Sequence, residues 1–389
     1  MHPTERIIAA IEGRKVDRVQ TFCPFLEEWP AQQVTGTPMI SPAVLLLNPV
    51  SRFILEHWGM KLKDVLVNPM LWGGLLDKIG VARDMGFDSA WGLFEPRFMV
   101  WDSNTFALTT GSFYDIIEDG HSNVTYMYRG PAFTTEEAYR AWPHFHDIDE
   151  AAHQCYTFFK KALSRFGDDI CIMGDMSGGL FESIIHSFGF ENLARFIRKR
   201  SPVVMEFIDF MERNVTAGIT AMMDAGIRVI MKGDDMAFKT GPIMNPKVID
   251  EIFGPPYSRI TKAVHDRDGK ILIHSCGDNT MLFDHFIKWG FDGGHAFENT
   301  SNVDIEYEKK THGDRFTIVG GAGVDYLLTE RSRPDEVKDE IRRIVRLCAP
   351  GGRFILSPVH AHSEMDMKKV KIMLETAWED GTYPIAGVV

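Results

Sequence analysis

The feature that most limits the fold of this chain is a recurrence. Short apolar runs, each followed by a segment of helical periodicity, repeat until eight have passed. The runs fall at residues 19–25, 86–91, 169–174, 228–232, 270–276, 291–296, 316–321 and 353–358. Near-continuous apolar strands are strands buried on both faces, and strands joined through helices run parallel. Eight such units favour an α/β fold of the closed (β/α)8 TIM-barrel type over an open doubly wound sheet. No GxGxxG follows the first run, which weighs against a dinucleotide crevice. The 389 residues accommodate this as a single domain, 1–389, with no low-complexity linker or charge run to divide it.

A helix over residues 5–12 precedes the first strand, with Thr4 as its cap and Gly13 as its stop. Apolar periodicity predicts further helices at about 42–58, 72–85, 135–142, 148–165, 179–199, 202–225, 256–267, 280–289, 304–312, 333–348 and 364–380. The stretch 97–133 breaks the rhythm. It is aromatic, β-branched and glycine-punctuated, as in Val124-Thr125-Tyr126-Met127-Tyr128-Arg129, and reads as an inserted antiparallel hairpin or small sheet. Its aromatic residues line a substrate pocket or pack as a lid.

The net charge of −12 argues against a nucleic-acid partner and against an anionic membrane surface. Five scattered cysteines, Cys23, Cys155, Cys171, Cys276 and Cys348, suit a reducing compartment. No signal-type segment and no run of 18 apolar residues is present, so a soluble, cytoplasmic protein is expected. The sequence leaves a homodimer open.

Active sites of such barrels lie at the carboxyl ends of the strands. There the fifth strand ends in His274-Ser275-Cys276-Gly277. Alternate residues of a strand share a face, so the imidazole and the thiol can converge on one point. A nitrogen and a sulfur so placed suit zinc with a third protein ligand and one open position; the alternative is a buried thiol beside a hydrogen-bonded histidine. The eighth strand ends near His360 and His362, and His360 is the candidate third ligand. Cys23 lies on the same rim as a packed or ligating thiol. After the fourth strand stand Asp234 and Asp235. Two adjacent carboxylates cannot both point inward, so one faces the mouth, to orient a ligand or handle a proton, and the other binds loop backbone. Glu298 after the sixth strand is a candidate catalytic or displaceable group, and Glu182 can reach the site from the start of its helix.

The chain resembles the uroporphyrinogen decarboxylase superfamily. The resemblance rests on Glu5-Arg6-Ile7-Ile8-Ala9-Ala10-Ile11-Glu12-Gly13 with Asp17-Arg18-Val19, and on Gly233-Asp234-Asp235. Gly241-Pro242 with Asn245-Pro246, His274-Ser275-Cys276-Gly277, Gly320-Gly321 with Val324-Asp325 and Phe354-Ile355-Leu356-Ser357-Pro358 extend it. It implies a (β/α)8 barrel. The decarboxylases of that superfamily carry an Arg-rich segment after the first strand, whereas residues 22–29 here contain two glutamates and no arginine. The corrinoid-dependent methyltransferase branch uses a His-x-Cys and a distal Cys to bind zinc. His274 and Cys276 match that pattern, and His360 stands at the distal position. A His-Cys-His set leaves zinc one net positive charge, which favours Lewis-acid activation of a methylated oxygen or nitrogen. The resemblance thus implies methyl transfer from a small methoxy- or methylamine-type substrate to the corrinoid of a separate corrinoid protein. A porphyrinogen carboxy-lyase, with His360 handling a proton, and a non-catalytic barrel that binds a tetrapyrrole or a metal are the competing readings.

Overall fold

Why the apolar runs lack polar alternation becomes clear once they are closed on one another. The computed structural model describes residues 1–37, 39, 68–95, 98–102, 104–118, 124–297 and 301–385. The helix expected at 42–58, and Glu298, lie outside them. The barrel strands are β1 (Gln20–Cys23), β2 (Ser89–Phe94), β7 (Cys171–Met176), β8 (Val229–Gly233), β11 (Lys270–His274), β12 (Gly293–Phe297), β13 (Thr317–Ala322) and β14 (Phe354–Pro358). They form one closed parallel barrel in the order β1-β14-β13-β12-β11-β8-β7-β2, with β2 returning to β1. The eight runs are these eight strands.

All of the barrel strands but β12 divide their apolar side chains between two cores. Phe22, Cys171, Met173, Val229, Met231, Leu272, Val319 and Ile355 fill the interior, joined by Ile7, Ile8, Ala10 and Ile11 of the helix Pro3–Ile11. The alternate residues Ile172, Ile230, Ile271, Ile273, Ile318 and Leu356 pack outward with the helical layer. Burying one such side chain contributes about 1.5–3 kcal/mol, so a strand polar on either face would forfeit one of the two cores. Ile11 also receives Thr317 Oγ1 (2.9 Å) and Arg353 Nη1 (2.5 Å) on its carbonyl, which seats the first helix under the amino ends of β13 and β14.

The irregular stretch after β2 is a four-stranded antiparallel sheet of β3 (Phe98–Val100), β4 (Thr105–Leu108), β5 (Ser112–Glu118) and β6 (Val124–Pro131), paired in sequence order. It docks on the helix Leu180–Phe188, where Tyr114 Oη lies 2.9 Å from His186 Nδ1 and Tyr128 Oη donates to the His186 carbonyl at 2.9 Å. A two-stranded ribbon, β9 (Ala237–Phe238) with β10 (Gly241–Pro242), lies beyond β8.

Several helices depart from expectation. The first begins at Pro3 and is capped by His2 in place of Thr4, the His2 side chain accepting from Thr4 N. A helix Glu28–Thr35 follows β1 where none was expected. The single helix expected over 179–199 is two, Leu180–Phe188 and Phe190–Arg198, because Gly189 between them takes φ +73°. The helix expected from 256 begins ten residues earlier, at Pro246, with the Asn245 side chain accepting from Lys247 N. Pro255 and Pro256 sit inside it, where prolines normally mark a boundary. Among the described residues no helix is long and apolar enough to cross a membrane.

Candidate metal centre at the barrel mouth

The interior phase of β11 runs through Leu272 to His274 and continues, past the end of the strand, to Cys276. A glycine ends this run for a steric reason: at Gly277 (φ +85°) a Cβ would stand 2.4 Å from the Ala237 carbonyl oxygen. Asn279 then holds the turn, its Nδ2 donating to the carbonyls of Ser275 (2.8 Å), Cys276 (3.0 Å) and Gly277 (3.1 Å). Ser275 Oγ donates to Asn279 Oδ1 and accepts from Met236 N, each at 2.9 Å, so the loops after β8 and β11 are fastened together.

That fastening brings a third donor in. Asp235 Oδ1 accepts from Cys276 N at 2.8 Å and lies 3.8 Å from His274 Nε2, while Cys276 Sγ is 3.5 Å from the same nitrogen. Ligand atoms of Asp235, His274 and Cys276 all fall within 4.8 Å of one another. Tetrahedral zinc, with bonds of about 2.0–2.3 Å, needs roughly 3.5 Å between nitrogen and sulfur and roughly 3.4 Å between nitrogen and oxygen. The donor set and its spacing therefore fit the ion.

Burial prepares the nitrogen ligand. His274 is enclosed by Trp91, whose ring centroid is 4.8 Å away, and by His295, whose Nδ1 is 2.7 Å from His274 Nδ1. Desolvation, then the neighbouring charge of His360, pushes the His274 pKa down to about 3. The ring is neutral at physiological pH, as a metal ligand must be. His295 is fully buried against Phe22 and Trp91 and is held well below its usual value, first by burial and then by His274. Asp235, with its side chain 41% exposed, forms the open side of the site. Its protein surroundings raise its carboxyl pKa, opposed first by the Cys276 N–H and then by His186.

The family model described as uroporphyrinogen decarboxylase (URO-D) matches residues 125–379, most of the chain and all of this site. The chain belongs to the uroporphyrinogen decarboxylase family. Among solved structures, this family member is similar to a methyltransferase from Methanosarcina mazei. The two share 15% identity over 97% of this chain and 99% of that one, with a TM-score of 0.67. It is also similar, at 10% identity over 80% of this chain and 87% of the other (TM-score 0.45), to a B12-independent methionine synthase from Shewanella sp. W3-18-1 in complex with selenomethionine. No curated protein matches the sequence. At these identities the likeness to solved structures is one of fold.

In this uroporphyrinogen decarboxylase barrel the two adjacent aspartates do separate. Asp235 continues the inward phase of Val229 and Met231, whereas Asp234 takes the opposite phase, toward the helix Leu180–Phe188. There it accepts from Phe181 N (2.9 Å), Glu182 N (2.6 Å) and Tyr257 Oη. It fits so closely that a Cβ on Gly179 would lie 2.0 Å from its Cγ. Burial pushes the Asp234 pKa up to about 6 against the pull of Tyr257 and the two amides. Asp234 thus serves as the helix cap, away from the cluster of metal-competent donors.

His360 is on the rim but outside that cluster. Its Nδ1 donates to the Ala361 carbonyl at 2.9 Å, and its Nε2 is 3.5 Å from Asp325 Oδ1, whose other oxygen is 3.5 Å from Lys239 Nζ. His362 Nδ1 accepts from Glu364 N at 3.0 Å. Cys23 is packed in the core, its thiol pKa raised far above normal by burial. Glu182 lies beside His186, at 3.9 Å, on the helix that Asp234 caps.

Sequence reasoning missed two features. One is His295, a lone histidine in an apolar strand, which is indistinguishable from a core residue until register places it opposite His274. The other is the fully buried pair of Lys232 and Asp175, with Nζ 2.5 Å from Oδ1, which ties the end of β7 to β8. Its signals in the sequence are a lysine near the end of an otherwise apolar strand and an aspartate at the end of the preceding one.

Proposed function

We propose that this protein is a zinc-dependent methyltransferase that moves a methyl group between a small methylated substrate, of methoxy or methylamine type, and the corrinoid of a partner protein. The observation that carries this reading is the convergence of His274 Nε2, Cys276 Sγ and Asp235 Oδ1 at zinc-compatible spacing on the open end of the barrel. Membership of a family whose fold is shared by a methyltransferase supports it. Zinc held by His274, Cys276 and Asp235 would supply a positive charge able to stabilise the electron pair left on the substrate's heteroatom as the methyl group passes to the corrinoid cobalt.

The chain's own residues do the rest. His274 and Cys276 fix two corners of the site from one rigid strand end, and Asp235 closes the third from the neighbouring loop. With a thiolate, a carboxylate and a neutral imidazole the site is formally neutral, so Asp235 supplies the negative charge that the resemblance would draw from a distal cysteine. A carboxylate gives up less electron density than a thiolate, which keeps such a centre suited to oxygen and nitrogen leaving groups. His360, held by Ala361 and Asp325, is the rim group placed to hold a proton at Nε2. Trp91 and Phe22 give the floor of the mouth an apolar, water-poor surface beneath His274 and His295.

Equilibrium dialysis of chelator-stripped protein tests the metal site: one zinc per chain is expected, lost in His274→Ala. Methyl transfer from a panel of methoxy and methylamine donors to a Co(I) corrinoid protein tests the chemistry. Zinc uptake that is equal in wild type and His274→Ala sinks the reading. Release of CO₂ from a porphyrinogen acid without methyl transfer would replace it with a carboxy-lyase.

A further inference from the structure

The two histidines at the centre of the barrel form a directed chain whose polarity is set at its far end. His295 Nε2 is 3.0 Å from the Pro358 carbonyl oxygen and 3.2 Å from Ser357 Oγ, and Ser357 Oγ itself donates to that same carbonyl. A carbonyl oxygen only accepts, and a serine that has already committed its proton offers only lone pairs. His295 Nε2 must therefore carry a hydrogen. Of the described residues, none with a carboxylate is hydrogen-bonded to this fully buried ring, whose other neighbours are Phe22, Trp91 and His274. An imidazolium there would be an uncompensated buried charge, so the ring is neutral and its Nδ1 is bare. The contact between His274 Nδ1 and His295 Nδ1, 2.7 Å, needs one proton, and it must then come from His274. His274 in turn is left with its lone pair on Nε2, the nitrogen that faces Cys276 Sγ and Asp235 Oδ1.

We infer that His295 is a positioning residue that, with the Pro358 carbonyl, locks His274 in the Nδ1–H tautomer and presents a bare Nε2 to a divalent cation. This rests on the reading of His274, Cys276 and Asp235 as a metal site. It adds that the ligand is prepared from behind, by β12 and β14, before any ion arrives. An imidazole free to choose would spend part of its time with Nε2–H pointing at the cation and its ring turned from the ligating angle. The partner behind a ligating histidine is typically worth about 10–100-fold in metal affinity.

The test uses the full chain. In metal-free protein labelled with ¹⁵N-histidine, two-bond ¹H–¹⁵N correlation should show His274 protonated on Nδ1 and His295 on Nε2. A His274 that carries its hydrogen on Nε2 overturns the proposal, whether or not zinc binds. His295→Gln can accept from His274 through Oε1 and donate to Pro358 through Nε2, so its zinc affinity should stay within about threefold of wild type. His295→Leu keeps the bulk and loses the acceptor, and its zinc affinity should fall about 10–100-fold. Equal affinity in wild type, Gln and Leu proteins would also overturn it. Should the Leu variant fail to fold, the tautomer measurement on the wild type decides alone. A wild type that takes up no zinc yet shows the expected tautomers would refute the metal reading and leave the histidine chain standing.

Discussion

The two ends of the same barrel use polar residues in opposite ways. At the amino end the largely buried carboxylate of Asp88 is answered by several donors. Arg18 grips Asp88 with both terminal nitrogens at 2.8 Å, Thr21 adds its N–H and hydroxyl to the same carboxylate at 2.9 Å, and the helix Pro3–Ile11 closes the opening with apolar side chains. At the carboxyl end an imidazole nitrogen, a sulfur and a carboxylate oxygen face one another, the carboxylate accepting from the Cys276 N–H and from the Cys276 side chain. Once the thiol gives up its proton, the three groups offer lone pairs toward one point, which a cation can join. The difference separates an end built for stability from an end built for chemistry, although both are made by the same eight strands.

Substitutions at the two ends should therefore fail in different ways. The largest effect expected is on metal: His274→Ala, and likewise Cys276→Ala, should lose at least about 100-fold in zinc affinity by dialysis, since each removes a ligand outright. At the other end, Asp88→Ala strands Arg18 and the Thr21 amide. It should cost roughly 3 kcal/mol in denaturant unfolding, the low end for a broken buried pair because Arg18 is partly exposed, with zinc binding unchanged. If Asp88→Ala weakened zinc as well, the two ends would be coupled and the contrast would fail.

Within the mouth the contrast sharpens to adjacent residues. Asp235→Asn should lower zinc affinity about 10–100-fold while leaving unfolding free energy nearly unchanged, because the amide oxygen still accepts from Cys276 N. Asp234→Asn should do the reverse, costing about 1–2 kcal/mol of stability through the helix cap with little change in zinc affinity. The smallest effect expected is for His360→Ala: less than about fivefold in zinc affinity, as its Nε2 is engaged with Asp325 and not with the donor cluster. A loss as large as that of Asp235→Asn would make His360 a ligand that leaves Asp325 on loading.

Much of this was legible in the chain because it depends on short-range pattern. Apolar runs such as residues 270–276 cannot be satisfied except by burial on both faces, and the aromatic, glycine-punctuated stretch 97–133 cannot hold a helical stripe. The prolines of the helix Pro246–His265 misled because a proline costs a helix locally, while packing of Ile249, Phe253 and Tyr257 rewards it over its whole length. The convergence of His274 and Cys276 was visible as alternation within one strand. The split of Asp234 from Asp235 was visible as a necessity, though not its direction.

By itself, then, the order of residues determined the barrel, the insert and the imidazole–thiol pair, because two-residue alternation and helical periodicity act over distances a single segment spans. Only the tertiary structure decided which carboxylate joins that pair, that His360 turns to Asp325, and that His295 stands behind His274. Those choices follow from strand register and from loops fastened across β8, β11 and β12, contacts between residues distant in sequence whose geometry no local pattern encodes.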